Sequence, residues 1–415
     1  MANTLKFGNG NFATKAGSTL CYDDQNGNFK PIPMDFSRNS IGTRVNKQGL
    51  IEVMQADIPR IDYTDTDKGV ALLENSSTNL VLYSEDFSNA YWDKQTTTIL
   101  SNNAISPDGT LNATKLREID NNGFHRIRRN ASISISPYAS IGVFAKAGER
   151  DWIKIRESAQ TGAYAFFNIK EGYIGEIGIT ATPKIEYYGN GWYRCSFSKN
   201  LTAASVDIRV CLSDGVDTYQ GDGTSGVYIW GAQLESGSIT SSYIPTSGST
   251  VTRAADVANG SGNSEVFNDS EGVLMLETKF LQSGRIGISN SDNSDQVVIG
   301  LASGLGIFYR IRENNSNPIT QFVGVSEFQN NKIAVKYKST ETSFFVNGFE
   351  LNTNSTSYIL NGLNELAFTS ESSPLYGKTK EIGYYDEILT DSELEYLTSY
   401  RSLSELVKEL NLNTL

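Results

Sequence analysis

Apolar and polar residues alternate along much of this chain and seldom recur at helical spacing. In "SVDIRVCLSD", Val206, Ile208, Val210 and Leu212 fall on one face and Asp207 and Arg209 on the other. That period of two is the pattern of a half-buried strand. "GWYRCSFS" repeats it with Tyr193, Cys195 and Phe197, and "DWIKIRES", "YAFFNI" and "GVYIWGAQL" add more strands between turn clusters. Residues 91–255 therefore predict a β-sandwich. "VANGSGNSEVFNDSEG" is polar and Gly/Ser/Asn-rich and marks a boundary. A second strand series follows in "VLMLETKF", "RIGISN", "QVVIGLA", "GIFYRIREN" and "KIAVKYKS", which makes residues 256–415 a second sandwich. Within it, Asn347-Gly348 separates two apolar runs, and this pair readily takes the φ > 0 geometry of a type I′ hairpin turn.

The two ends differ from the middle. Residues 1–90 hold short strand-like pieces, Gly/Asn turns and many polar anchors, and predict an extended attachment region that wraps a neighbouring surface without a core of its own. The C-terminus is helical. Thr390 to Glu393 is a capping box before Leu394 and Leu397, and Ser402 to Glu405 is another. Leu403, Leu406, Val407 and Leu410 then follow at i, i+3, i+4, i+7 spacing, giving a short amphipathic helix that needs a partner surface, its own sandwich or a neighbouring subunit. The fold class is all-β, with two tandem jelly-roll β-sandwiches.

Charge and composition narrow the function. Asp+Glu 47 against Lys+Arg 35 gives a net charge of -12. That balance argues against a nucleic-acid partner, since phosphate binding is driven by cationic side chains. No run of about 18 apolar residues offers a membrane span, and no basic n-region with an apolar h-region opens the chain, so membrane insertion and a secretory signal are not expected. Three cysteines, Cys21, Cys195 and Cys211, make no disulfide framework; Cys195 and Cys211 sit on neighbouring strands and read as small buried residues. The single histidine, His125, leaves no His-rich metal site and reads as a surface strand residue.

Sugar binding needs exposed aromatic faces with amides or carboxylates beside them for the hydroxyls. In the first sandwich the candidates are Trp152, Trp192, Tyr193 and Trp230, with core packing the competing role for Trp192 and Trp230. Phe308, Tyr309, Tyr337 and Tyr376 are the counterparts in the second. Calcium needs clustered oxygens, and the acidic turns are Asp62, Asp65 and Asp67; Asp214, Asp217 and Asp222; Asp292 and Asp295. The Asp214, Asp217, Asp222 set ranks first, because two glycines flank Asp222 beside a core strand. Many carboxylate pairs are present, but no Gly-x-Ser-x-Gly, P-loop or His-pair motif singles out catalysis, and there is no internal repeat.

The connector after "GVYIWGAQLE" is long, polar and barely charged. Tyr243, Ile244 and Pro245 can anchor it apolarly, and Arg253 and Asp256 can pin its end by a charged hydrogen bond. "GAQLE…SYIPTSGSTVTRAAD", with "FSRNSIGTRVN", "GLIE", "PRIDY" and "LLENSSTNLVLYSEDFSNAYW" before it, resembles phage head-spike, head-fibre or tail-fibre proteins. "VFAKAGERDWI" and "GNGWYRCSFS" resemble carbohydrate-binding jelly rolls, and "SFFVNGFEL" and "EIGYYDEILTDSELEYL" resemble the concanavalin A-like, laminin G-like lectin fold. The resemblance covers most of residues 31–400. It implies a non-enzymatic virion subunit that assembles in the host cytoplasm and is displayed on the virion surface. It also implies contacts with other virion structural proteins, a homo-oligomer, most simply a trimer, and weak adhesion to host surface polysaccharide multiplied by avidity. A purely structural decoration protein and a glycan depolymerase are the alternatives.

Overall fold

The computed structural model describes residues 4–23, 29–64, 67–129, 133–135, 137–157, 163–178, 181–201, 203–324, 329–368, 373–400 and 402–409. The fold is all-β, apart from two short helices at the C-terminal end. By compactness the chain divides into two units. The central sandwich comprises Ile41–Val53 and Ser76–Ala254; the C-terminal sandwich comprises Met1–Ser40, Met54–Asn75 and Ala255–Leu415.

In the central sandwich two six-stranded sheets face each other. One has the order Asp93–Gln95, His125–Arg128, Asp207–Cys211, Trp152–Arg156, Tyr164–Asn168, Tyr173–Ile177. The other runs Thr97–Ala104, Ala113–Glu118, Gly226–Ser236, Tyr138–Ala147, Trp192–Asn200, Thr182–Tyr187. Alternation sends Ile153, Ile155, Ile208 and Val210 inward from the first sheet and Ile141, Val143, Ile229 and Leu234 inward from the second, all with no exposed surface. Each such side chain contributes about 1.5–3 kcal/mol of burial.

In the C-terminal sandwich the larger sheet runs Val257–Asn259, Lys30–Ser37, Ser18–Asp23, Leu5–Gly8, Gly377–Tyr385, Glu271–Phe280, Asn330–Lys338, Glu341–Val346, Phe349–Asn354. The smaller one runs Ser316–Val323, Gly306–Glu313, Gln296–Ala302, Gly284–Ser289, Glu365–Ala367. Residues 1–90 thus differ from the wrapping region read from sequence, because they are divided between the units. Leu5–Gly8 lies antiparallel to Gly377–Tyr385, with Phe7 opposite Ile382. Leu5, Phe7, Cys21, Met34 and Phe36 join the core of the C-terminal sandwich. These strands are too short to bury an apolar face alone, and they complete a sheet that already has one.

Within this unit four charged groups are buried together. Asp256, Arg38, Arg60 and Glu74 are 0%, 1%, 1% and 5% exposed. Arg38 donates to Asp256 Oδ1 at 3.1 Å, and Arg60 donates to Asp256 Oδ2 and to Glu74 Oε2, the latter at 2.7 Å. The Glu74 backbone N–H donates to Asp256 Oδ2 at 2.8 Å. Arg38 also donates to the carbonyls of Gln55, Ile58 and Ser40. The carboxylate expected to pin the connector through Arg253 is thus held by Arg38, Arg60 and the Glu74 amide. Burial opposes the Arg60 charge, but Asp256 and Glu74 outweigh it and hold its pKa above the ordinary value.

The hairpin forms as expected. Asn347 and Gly348 have φ of 52° and 89°, and Val346 pairs with Phe349 across a two-residue loop. A Cβ on Gly348 would lie 2.5 Å from Ser399 Oγ, and the Gly348 N–H donates to Thr398 Oγ1 at 3.1 Å. The helix Asp391–Thr398 carries a complete capping box at Thr390 and Glu393. It packs Leu394 against Val273, Ala334 and Phe345 of its own sandwich. In the helix Leu403–Glu409, Lys332 Nζ pairs with Glu405 at 2.7 Å. Leu403 is 72% exposed, so the expected stripe is only partly covered; Leu410 lies outside the described residues.

Removing one member of a buried charge set leaves the others uncompensated. Asp256→Ala is expected to lower stability by about 3–5 kcal/mol in urea unfolding. Gly348→Ala is expected to cost more than about 1 kcal/mol, because it combines positive φ with the Ser399 contact.

Candidate functional site

The central sandwich treats its two outer faces differently. On the sheet containing Gly226–Ser236 the outward residues are Phe144, Trp192 and Trp230, and they are covered. Tyr243 of the connector, with Val45 and Ile51, packs on them. The Trp230 and Tyr243 rings lie 4.6 Å apart, and Phe144 meets both edge-on. Tyr243 Oη hydrogen-bonds Ser84 at 2.7 Å and Glu85 at 2.8 Å. Asn79 fixes the same segment, donating to the carbonyls of Ala232 and Ile244. The apolar anchoring expected of Tyr243 and Ile244 is present, at 3% and 2% exposure. Trp192 and Trp230 are 1% and 2% exposed. They present no face to a sugar and serve as core.

The other outer face carries charge. Register sets Arg126 opposite Arg209, Arg209 opposite Lys154, and Lys154 opposite Phe166. Asp207 accepts from Arg126 at 2.8 Å and from Arg209 at 2.9 Å. Asp217 accepts from Lys154 at 2.9 Å and from Arg209 at 2.8 Å. Aromatic faces complete the packing: Arg209 lies 4.2 Å from the Phe124 centroid, and Lys154 lies 4.0 Å from that of Tyr164.

The accessible part of this face is its edge at Trp152, Tyr164 and Tyr173. Trp152 is half-buried and meets Tyr173 edge-on, with centroids 5.5 Å apart and an interplanar angle of 87°. Tyr173 is 50% exposed. Gly175 lies between the indole and a carboxylate, since a Cβ there would sit 2.6 Å from Trp152 Cζ3 and 2.3 Å from Asp214 Oδ1. The exposed Asp214 accepts from the Glu176 N–H at 2.7 Å, and Glu176 accepts from Tyr164 Oη. Tyr193 lies against the turn at Gly172, one residue before Tyr173, and its ring is 5.2 Å from that of Tyr187. An aromatic pair with two carboxylates fixed beside it offers a stacking surface and hydroxyl acceptors.

Of the sequence candidates, Trp152 therefore lies at this edge; Tyr193 packs against the core and meets only the neighbouring turn at Gly172, and Trp192 and Trp230 are buried on the other sheet. Tyr173 and Glu176 escaped notice because "GYIGEIG" carries only a weak strand pattern and no tryptophan.

The expected calcium set does not assemble. Asp217 is taken up by two cations and Asp214 by a backbone amide. Asp222 closes its own turn by accepting from the N–H and hydroxyl groups of Thr224 and Ser225. Those bonds hold its carboxyl well below the ordinary range. Among the described residues no three His, Cys, Asp or Glu side chains converge to hold a metal ion. In the other acidic turns, Asp292 accepts from the Ser294 N–H and Asp62 from the Thr64 N–H, and Asp65 lies outside the described residues.

His125 is not the surface residue that its strand pattern suggests. It is fully buried, because register places it opposite Val210 on the inward face while Arg126 and Arg128 point out. Its ring nitrogens lie 2.7 Å and 3.2 Å from the carbonyl oxygens of Thr96 and Tyr219. The three cysteines are buried and free.

No protein-family model and no curated sequence matches the chain. Solved structures do show likenesses. The carbohydrate-binding module CBM40 of the Ruminococcus gnavus IT-sialidase is 17% identical, with a TM-score of 0.29, over 34% of this chain and 94% of that one. Laminin α1 domains LG4-5 of mouse are 11% identical, with a TM-score of 0.24, over 69% and 90%. Trypanosoma rangeli sialidase is 9% identical, with a TM-score of 0.27, over 96% and 84%. At such scores these likenesses do not decide what this chain binds.

Burial pushes the Asp217 carboxyl up, but Lys154 and Arg209 outweigh it and hold it below its ordinary value of 3.8. A depressed carboxyl stabilises the fold above its unfolded pKa, and the contribution is lost as pH falls through the folded value. Asp217→Asn is expected to lower stability by about 1–2 kcal/mol near pH 7. The gap from wild type should close below pH 3.8, as chemical denaturation at stepped pH would show.

Proposed function

We propose that this chain is a carbohydrate-binding structural protein, a fibre or spike subunit of a phage particle, and that it adheres weakly to host surface glycans without cleaving them. The observation that carries the binding role is the half-buried Trp152 and the exposed Tyr173, paired, with Asp214 and Glu176 fixed beside them. A hexose ring stacks its C–H face on an aromatic ring face such as that of the half-exposed Tyr173, and the carboxylates accept its hydroxyl protons. Preorganisation by Gly175 and the two hydrogen bonds keeps the ordering cost of binding low. The non-catalytic role is supported by the engagement of the nearby acids: Asp207 and Asp217 are ion-paired, and Asp214 and Glu176 hold the edge together.

The particle role rests on the strings that resemble phage fibre and spike proteins. In the C-terminal sandwich "FSRNS", "PRIDY", "LLEN" and "AAD" supply Arg38, Arg60, Glu74 and Asp256, so those strings have a structural reason to occur together. On this reading the subunit is a homo-oligomer, most simply a trimer, on the virion surface. A millimolar site in several copies then gives useful avidity.

The experiment is a titration of the full chain with surface polysaccharides of candidate hosts, with and without a calcium chelator, assayed in parallel for new reducing ends. Saturable, chelator-insensitive binding without new reducing ends is the expected result. Trp152→Ala should weaken binding roughly tenfold, the loss of about 1.4 kcal/mol of stacking, and Tyr173→Ala should weaken it in the same direction. New reducing ends would overturn the non-catalytic reading, and absence of binding at millimolar sites would leave a purely structural role.

A further inference from the structure

The edge at Trp152 and Tyr173 is charged as well as aromatic, and a β-bulge builds it. Ile174 lies opposite Phe167 and Ile177 opposite Ala165, so Gly175 and Glu176 together face Phe166. Ala165, Phe167 and Ile174 belong to the core side. The extra residue re-aims the strand and leaves the Glu176 carboxylate outside, where it accepts from Tyr164 Oη. The turn after Cys211 brings Asp214 to the same place. Its Oδ1 accepts from the Glu176 N–H at 2.7 Å and lies over Gly175, beside the Trp152 indole. Glu176 Oε2 lies over Gly215, 2.9 Å from where a Cβ would be. Each acid is thus held through one oxygen. The other oxygens, Asp214 Oδ2 and Glu176 Oε2, accept no hydrogen bond from the described residues, and both side chains are exposed.

The nearby cations are already answered. Lys154 pairs with Asp217 at 2.9 Å, and its ammonium lies 4.0 Å and 4.7 Å from the Tyr164 and Phe166 ring centroids. Lys170 pairs with Asp151 at 3.4 Å. The Glu176 carboxylate acts on its neighbour: its hydrogen bond, and then burial, hold the Tyr164 phenol above its ordinary value. The edge therefore sets two fixed negative charges beside the half-exposed Tyr173 ring.

We propose that this edge selects a sugar carrying a free amine, such as a 2-amino-2-deoxyhexose, over neutral and acidic sugars. This rests on the reading of the edge as a sugar site. The sugar ring lies on the Tyr173 face, and its ammonium donates to Asp214 Oδ2 and Glu176 Oε2. Charge-assisted hydrogen bonds of this kind are roughly twice as strong as those a neutral hydroxyl makes. The Tyr173 and Trp152 ring faces also favour a cation. A uronic acid carboxylate in the same place would meet two like charges.

The test uses the full chain and trimers of glucosamine, N-acetylglucosamine, glucose and galacturonate, titrated by calorimetry. At about pH 6 the glucosamine trimer is expected to bind at least tenfold more tightly than the N-acetylglucosamine and glucose trimers, and galacturonate more weakly than either. The preference should shrink with added salt. It should vanish above about pH 9, where the amine has lost its proton and the carboxylates keep their charge. Asp214→Asn keeps an acceptor for the Glu176 N–H, and Glu176→Gln keeps one for Tyr164 Oη, so the edge keeps its shape. Each should reduce the ratio of amino-sugar to neutral-sugar affinity several-fold, and the double variant should bring it to about one. Trp152→Ala should weaken the amino and neutral trimers alike. A ratio near one in the unaltered chain, or tighter binding of galacturonate, overturns this inference and leaves the sugar site standing. A ratio that survives in the double variant also overturns it, because the amine is then held by the net charge of -12 spread over the chain. Binding of none of the trimers at millimolar concentration overturns both readings.

Discussion

A charge without exposure must be answered by charge, and Asp256 imposes that constraint on the C-terminal sandwich. Its carboxylate has no contact with water and is held by Arg38, Arg60 and the Glu74 amide. These come from positions 218, 196 and 182 residues away. Any arrangement that leaves one segment out leaves a buried ion unpaired, which costs more than most core contacts contribute. The cluster thus makes the N-terminal strands obligatory members of a sheet whose other strands come from the end of the chain. Shape comes from the apolar core; the choice of which distant segments join it comes from these four residues.

The central sandwich solves a related problem at Tyr243. A long polar connector has many backbone groups to satisfy and little apolar area with which to dock. Asn79, Ser84 and Gln233 satisfy its N–H and C=O groups, while Tyr243 fills the space above Trp230 and Phe144. This covers one outer face with chain and leaves the other to a charged lattice and its aromatic edge. Trp230 and Trp152 are alike in sequence, each in an alternating strand next to glycine or charge. Their roles separate only because the connector crosses one face and not the other.

The same division runs through the acidic turns. Asp214, Asp217 and Asp222 are close in sequence and chemically equivalent, and clustering them as calcium ligands is the natural reading. In the fold they face different partners: an amide, two cations and a turn of their own. Arg285 and Arg310 show the reverse case: they lie far apart in sequence, and only strand order and register put them on the same outer face of the smaller sheet.

The sequence by itself determined what local rules control. Period-two alternation specified the strands, Asn347-Gly348 specified a turn that needs positive φ, and Thr390 with Glu393 specified a helix start, because each is settled within a few residues by sterics or a local hydrogen bond. The buried connector could also be read from Tyr243 and Ile244, whose apolar bulk needs cover wherever it lies. Tertiary structure alone decided which outer face stays open, that His125 points inward, that Leu5–Gly8, Ser18–Asp23 and Lys30–Ser37 complete a C-terminal sheet, and which charges meet. Those outcomes depend on pairing between segments far apart in the chain, where the free energy comes from burial and from matched ions that no local pattern records.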